Sequence, residues 1–153
     1  GYIAADDVTC DVVRSFGSGF IFTTALPPAL AYGALASVQH LRSSSAERDA
    51  QQAQARKLKA ALRDAGLPIL TGDTHIVPVM VYDAAKCSHI CKILLEEFGL
   101  YVQPINYPTV PVGTERLRLT PGPLHTDEMI EYMVESLQQA FAIAERDASK
   151  SAS

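Results

Sequence analysis

Apolar residues recur every three or four positions through most of the chain and give way to alternation in a few short places. Recurrence at three and four marks a helix face; alternation marks a half-buried strand. Residues 1–5 read as the end of a strand. Asp6 or Asp7 can cap a helix whose face is Val8, Val12, Val13 and Phe16, closed by Gly17 and Gly19. Phe20 to Thr24 is a short β-rich run. Pro27 and Pro28 open the next helix, with Leu30, Ala34, Leu35, Val38 and Leu41 on one side. Ser43 to Ser45 is a polar break, and Ser44 with Glu47 forms a capping box. The long helix that follows has a thin face of Ala50, Ala53, Leu58, Ala61, Leu62 and Ala65, stopped by Gly66.

The second half of the chain changes rhythm. His75 to Tyr82 is β-branched, and Pro78 inside it points to an edge strand or a bulge. Asp83 caps a helix with Cys87, Ile90, Cys91, Leu94, Leu95 and Phe98 inward, ending at Gly99. Strands follow at Tyr101 to Ile105 and Arg116 to Thr120. Thr126 caps a last helix with Met129, Ile130, Met133, Val134, Leu137 and Phe141 on its core side, and Asp127 and Glu128 suit its positive end. Asp147 to Ser153 is small and polar, and disorder is expected there. The order strand, helix, strand, strand, helix suits a small sheet with helices on one face.

At 153 residues the chain can form one domain of ordinary size, and 48% hydrophobic with 20% charged residues suits a globular protein. Acidic and basic residues are interspersed around a net charge of −4, without a basic stripe, which argues against nucleic acid. No apolar run spans a bilayer, and no signal peptide is expected. An odd count of three cysteines, without framework spacing, argues for reduced thiols. Cys87 and Cys91 sit one helical turn apart with no further ligand at metal-binding spacing, so a buried helix face is expected.

Candidate chemistry concentrates between Tyr101 and His125. Strand alternation puts Arg116, Arg118 and Thr120 on one face and Leu117 and Leu119 on the other. One face can pack while the other presents a guanidinium, the group suited to gripping a carboxylate through two parallel hydrogen bonds. The same pattern also describes a half-exposed strand with solvated arginines, and Arg116 is expected to pair with a surface carboxylate. Thr109 stands in a Pro-Thr-Val-Pro turn; its hydroxyl can donate to an anion or bond its own backbone. Thr23 and Thr24, at a predicted strand-to-helix junction, can donate to a phosphate, although threonine also favours strands on propensity alone. His125 can cap or bridge near the last helix.

The segments GYIAA, RSFGSGFIFTTALPPAL, THIVPVMV, INYPTVP and GTERLRLTPGPLH resemble, in this order, the C-terminal part of the 5-aminolevulinate synthases. These are α-oxoamine synthases of the fold-type I pyridoxal-phosphate class. The resemblance runs from Gly1 to about Phe141. It implies an α/β fold: residues 1–40 finish a large cofactor-binding domain and its connecting helix, and residues 41–146 form a small α+β domain with a mostly antiparallel sheet. Residues 147–153 remain the disordered tail.

The resemblance also implies the reaction, condensation of glycine with succinyl-CoA to 5-aminolevulinate, CoA and carbon dioxide, within a homodimer. Arg118 takes the place that binds the glycine carboxylate, Thr109 the distal carboxylate of the succinyl group, and Thr23 and Thr24 the phosphate of pyridoxal phosphate in the partner subunit. The family more often has serine where this chain has Ala25. The resemblance places the Schiff-base lysine shortly before the Gly-Tyr-Ile-Ala segment; Lys57, Lys59, Lys86, Lys92 and Lys150 fall in predicted helices or the tail. The isolated chain is then inactive, and Val12, Phe16, Phe20 and Phe22 are left without cover. Sister synthases of the 8-amino-7-oxononanoate or 2-amino-3-ketobutyrate type are the nearest alternative, followed by a non-catalytic truncated module. The compartment is the cytoplasm for a bacterial source and the mitochondrial matrix for a eukaryotic one.

Overall fold

The computed structural model describes residues 2–151. The chain divides after Ser44 into two compact units.

The first unit is helical. Helix α1 is Asp7–Phe16, with Asp6 at its N-cap accepting from the Thr9 amide at 2.9 Å. The Thr9 hydroxyl donates to the same carboxylate, and these bonds hold Asp6 below the ordinary carboxylate range. Helix α2 is Ser18–Ile21 and helix α3 is Pro28–Ser43, with proline in its first turn. The expected β-rich run at Phe20 to Thr24 is therefore replaced in part by a helical turn. No strand lies beside it among the described residues, and the Phe20 and Ile21 amides satisfy themselves locally on the Gly17 carbonyl. For the same reason residues 2–5 are irregular rather than a strand end. No residue of α1, α2 or α3 is buried.

The second unit holds the core. Helix α4, Ala46–Asp64, starts at Ser45, one residue beyond the Ser44 that the capping box predicts. The Ser45 hydroxyl donates to Asp49 one turn on. Helix α4 buries Ala55, Leu58 and Leu62. Strand β1 is Val77–Met80, helix α5 Ala84–Phe98, strand β2 Gln103–Ile105, strand β3 Arg116–Leu119 and helix α6 Asp127–Ser151. The sheet is antiparallel in the order β1-β3-β2. As the sequence predicts, Pro78 lies on an edge strand. The Pro78 carbonyl accepts from Leu70 on the outer side, so the ring nitrogen points away from β3, where no ladder donor is lost.

Register decides which side chains reach the core. Val77 faces Leu119 and Val79 faces Leu117, and all four are buried against Leu58, Leu62, Ile90, Leu94, Ile130 and Leu137 from the three helices. Asp83 caps α5 through the Lys86 amide at 2.7 Å. Helix α5 ends at Gly99 with φ +65, a left-handed turn that lets the Leu100 amide reach the Leu94 carbonyl. On α5, Ile93 is buried where Leu95 was expected, and Leu95 is 51% exposed. Helix α6 continues to Ser151, through most of the segment expected to be disordered. Lys86 to Glu145 at 3.3 Å and His89 to Asp147 at 3.1 Å fasten its last turns to α5. Residues 152 and 153 of that expected tail lie outside the described residues. No helix among the described residues is long and apolar enough to cross a membrane.

Candidate active site

With the helices packed on one side of the sheet, the alternate residues of each strand face away from it. Arg118 is opposite Pro78 on one neighbour and Gln103 on the other. The Arg118 side chain is exposed, and its guanidinium makes no hydrogen bond or ion pair among the described residues. Its neighbours Leu117 and Leu119 are buried, so the strand cannot turn to shield it without exposing them. Arg116, on the same face, was expected to pair with a carboxylate. Instead its Nε donates to the Thr114 carbonyl at 2.9 Å, two residues before it at the entry to β3.

The loop from β2 to β3 carries Thr109. Asn106 and Thr109 close a turn, with the Thr109 amide donating to the Asn106 carbonyl at 2.9 Å across a cis Tyr107–Pro108 peptide bond. The Thr109 side chain is exposed, and its hydroxyl has no hydrogen-bond partner among the described residues. The far end of the loop is tightly made. Gly113, at φ +82, donates its amide to both oxygens of Glu115 at 3.1 and 3.0 Å. Glu115 is only 2% exposed, and its main-chain carbonyl accepts from Val81 and Tyr82. Tyr82 itself stands at φ 66, where a bulky side chain rarely sits. Nothing in the hydrophobic periodicity points to Glu115, Tyr82 or Asn106, since each acts between segments distant in sequence.

Thr23 and Thr24 belong to the first unit. They lie between two helices rather than at a strand-to-helix junction. Both are exposed, and with Gly19, Phe20, Ala25 and Leu26 they line an open concavity of about 490 Å³. Their hydroxyls have no hydrogen-bond partner among the described residues, so the donor set suits a phosphate.

The remaining candidates are occupied. Lys57 pairs with Asp127, Lys86 with Glu145 and Lys92 with Glu96, while Lys59 donates to the Gly72 and Thr74 carbonyls. Lys150 also has a partner. His125 Nδ1 accepts from the Gly122 amide at 2.9 Å and closes the turn before α6. No group of three or more metal-ligating side chains exists among the described residues. Burial pushes the Cys91 thiol up to about 12, with Cys87 adding to it, and burial also raises Cys87. Iodoacetamide at pH 8 is therefore expected to leave Cys87 and Cys91 unmodified in the native protein while Cys10, which is half-buried, reacts. Peptide mass mapping before and after denaturation reads this directly.

The profile of aminotransferase classes I and II matches residues 1–137. The chain belongs to this family. Within the family it is 56% identical over 142 residues to the 5-aminolevulinate synthase of Rhizobium meliloti (strain 1021), covering 93% of this chain and 35% of that protein. It is 53% identical over 141 residues to the 5-aminolevulinate synthase of Bradyrhizobium diazoefficiens, covering 92% of this chain and 34% of that protein. The chain thus spans about a third of the length of the curated relatives it matches. Among solved structures, the Sphingomonas wittichii serine palmitoyltransferase superposes with a TM-score of 0.78 at 27% identity, over 93% of this chain and 36% of that one. A structure of SPT with a PLP internal aldimine superposes with a TM-score of 0.79 at 28% identity, with the same coverage. The fold is accordingly that of the fold-type I pyridoxal-phosphate enzymes, with a three-stranded antiparallel sheet and helices on one face.

Proposed function

We propose that the chain is the C-terminal portion of a 5-aminolevulinate synthase that condenses glycine with succinyl-CoA in tetrapyrrole biosynthesis. The observation that carries this reading is Arg118: a partner-free guanidinium on the outer face of a strand whose inner face is locked in the core. A fixed fork of donors suits a small carboxylate better than a mobile ammonium does. On this reading Arg118 grips the glycine carboxylate and limits how the amino acid can turn. The Thr109 hydroxyl donates to the distal carboxylate of the succinyl group. The Thr23 and Thr24 hydroxyls donate to the phosphate of pyridoxal phosphate held by a homodimer.

Bound pyridoxal phosphate supplies an electron sink for the carbanion chemistry. The five lysines of the chain stand on helices α4, α5 and α6, and each has a partner. On this reading the proton at the glycine α-carbon is moved by a base in another part of the complete enzyme. Residues 1–40 then belong to a large cofactor domain and 41–146 to the small domain. The exposure of Phe16 at 82% and Phe22 at 86% fits side chains whose cover lies in the rest of that enzyme. The compartment follows the source, cytoplasm in a bacterium and mitochondrial matrix in a eukaryote.

The complete enzyme is expected to release 5-aminolevulinate and CoA from glycine and succinyl-CoA, and to prefer this thioester to longer acyl-CoAs. The isolated chain is expected to release neither. A preference for alanine or serine, or for a long-chain thioester, would move the assignment to a sister synthase. Product from the isolated chain would overturn the division of labour.

A further inference from the structure

Asn106 is the first residue after β2, and it joins two things that the fold holds far apart in sequence. Its main-chain carbonyl accepts the Thr109 amide at 2.9 Å and so defines the turn that displays the Thr109 hydroxyl. Its side-chain Nδ2 donates to the Ala84 carbonyl at 3.3 Å and to the Ser88 Oγ at 3.2 Å, both on the opening turns of α5. Ser88 Oγ donates its own proton to the Ala84 carbonyl at 3.0 Å, which leaves an oxygen lone pair for Asn106. The Ala84 carbonyl can only accept, so the amide has one workable orientation. The start of α5 is itself immobilised by the Asp83 cap and by Cys87 and Ile90 in the core.

We infer that Asn106 is a positioning residue, which ties the Thr109 turn to α5 and thereby sets where the Thr109 hydroxyl meets substrate. The cost of the arrangement is visible. Asn106 Oδ1 is buried with no hydrogen-bond partner among the described residues. Leaving a buried acceptor unpaired is unfavourable, and the two bonds made by Nδ2 offset that cost. The donor half of the amide is what the site uses. Displacing a reacting or binding group by about 1 Å is enough to lose much of its contribution. The inference rests on the proposed role of Thr109 in holding the succinyl carboxylate.

The test uses the complete enzyme with Asn106→Ala, Asn106→Asp, Ser88→Ala, Thr109→Val and the double variant Asn106→Ala/Thr109→Val. Asn106→Asp keeps the shape and removes the donor, and Ser88→Ala removes one acceptor only, so an unstable Asn106→Ala would not leave the question open. Asn106→Ala and Asn106→Asp are expected to raise the succinyl-CoA KM about tenfold while the glycine KM holds, and Ser88→Ala about twofold. The double variant is expected to match Thr109→Val, because a residue acting through Thr109 has nothing left to position. Without any substrate, the Thr109 amide is expected to exchange about tenfold faster in Asn106→Ala. Multiplying effects in the double variant, or equal rises in both KM values, would make Asn106 merely structural and overturn the inference. An unchanged succinyl-CoA KM in Thr109→Val would overturn the reading of Thr109 and this inference with it; a raised one beside an unchanged Asn106→Ala would overturn this inference alone.

Discussion

Arg118→Ala in the complete enzyme is expected to raise the glycine KM by about a hundredfold to a thousandfold, the equivalent of about 3–4 kcal/mol for a lost charge-assisted pair. The expectation follows from three features of the site. The guanidinium is exposed and has no partner among the described residues, so none of them competes for it. It sits on a strand, not a loop, with Leu117 and Leu119 buried on either side, so the face from which its side chain rises is fixed before a ligand arrives. Glycine has no side chain, so its carboxylate and amino group must supply nearly all recognition. Arg118→Lys is expected to recover only part of the loss, leaving the KM about tenfold up, because one ammonium cannot reproduce two parallel bonds. Neither change disturbs the core, and melting temperatures should stay near wild type. Steady-state kinetics with glycine varied at saturating succinyl-CoA checks this. A glycine KM in Arg118→Ala within twofold of wild type would remove Arg118 from the site.

The parts of this architecture that the sequence made legible are those set by local chemistry. Asp6 and Asp83 cap the helices that their positions announced, and the Thr126 hydroxyl accepts from the Met129 amide at the start of α6. The alternation in Arg116–Leu119 survives in the burial of its leucines, because a sheet with one covered face admits one register. What could not be read depends on distant partners. Phe20 to Thr24 has strand-forming residues, yet strand formation needs a neighbour to pair with, and none stands beside it among the described residues. The persistence of α6 to Ser151 depends on Lys86 and His89, which lie on another helix. The choice of Ile93 over Leu95 reflects where α6 and the sheet lie around α5, not the spacing within α5. The loop was hardest. Its order comes from the Glu115 carbonyl accepting from Val81 and Tyr82 and from Asn106 reaching α5, and neither contact leaves a periodic trace.

Leu117→Ala is expected to destabilise the fold by about 2–5 kcal/mol, the range for truncating a fully buried leucine. Leu117 lies on the central strand, opposite Val79 on one side and Pro104 on the other, and is 0% exposed. Pairing on both sides limits how far β3 can move to fill the space, which argues for the upper half of the range. Leu95→Ala is the matching control: the same atoms are removed, but from a half-exposed position on α5, and a loss below about 1 kcal/mol is expected. Urea unfolding should show a lower midpoint for Leu117→Ala at an unchanged slope. Equal losses for the two leucines would mean that β3 is not the centre of the core. The contrast with Arg118 is the sharper test. Two consecutive residues of one strand should fail in different ways, Leu117→Ala in stability and Arg118→Ala in glycine affinity, because strand geometry sends one side chain into the core and the next to the outer face, where the proposed carboxylate site lies.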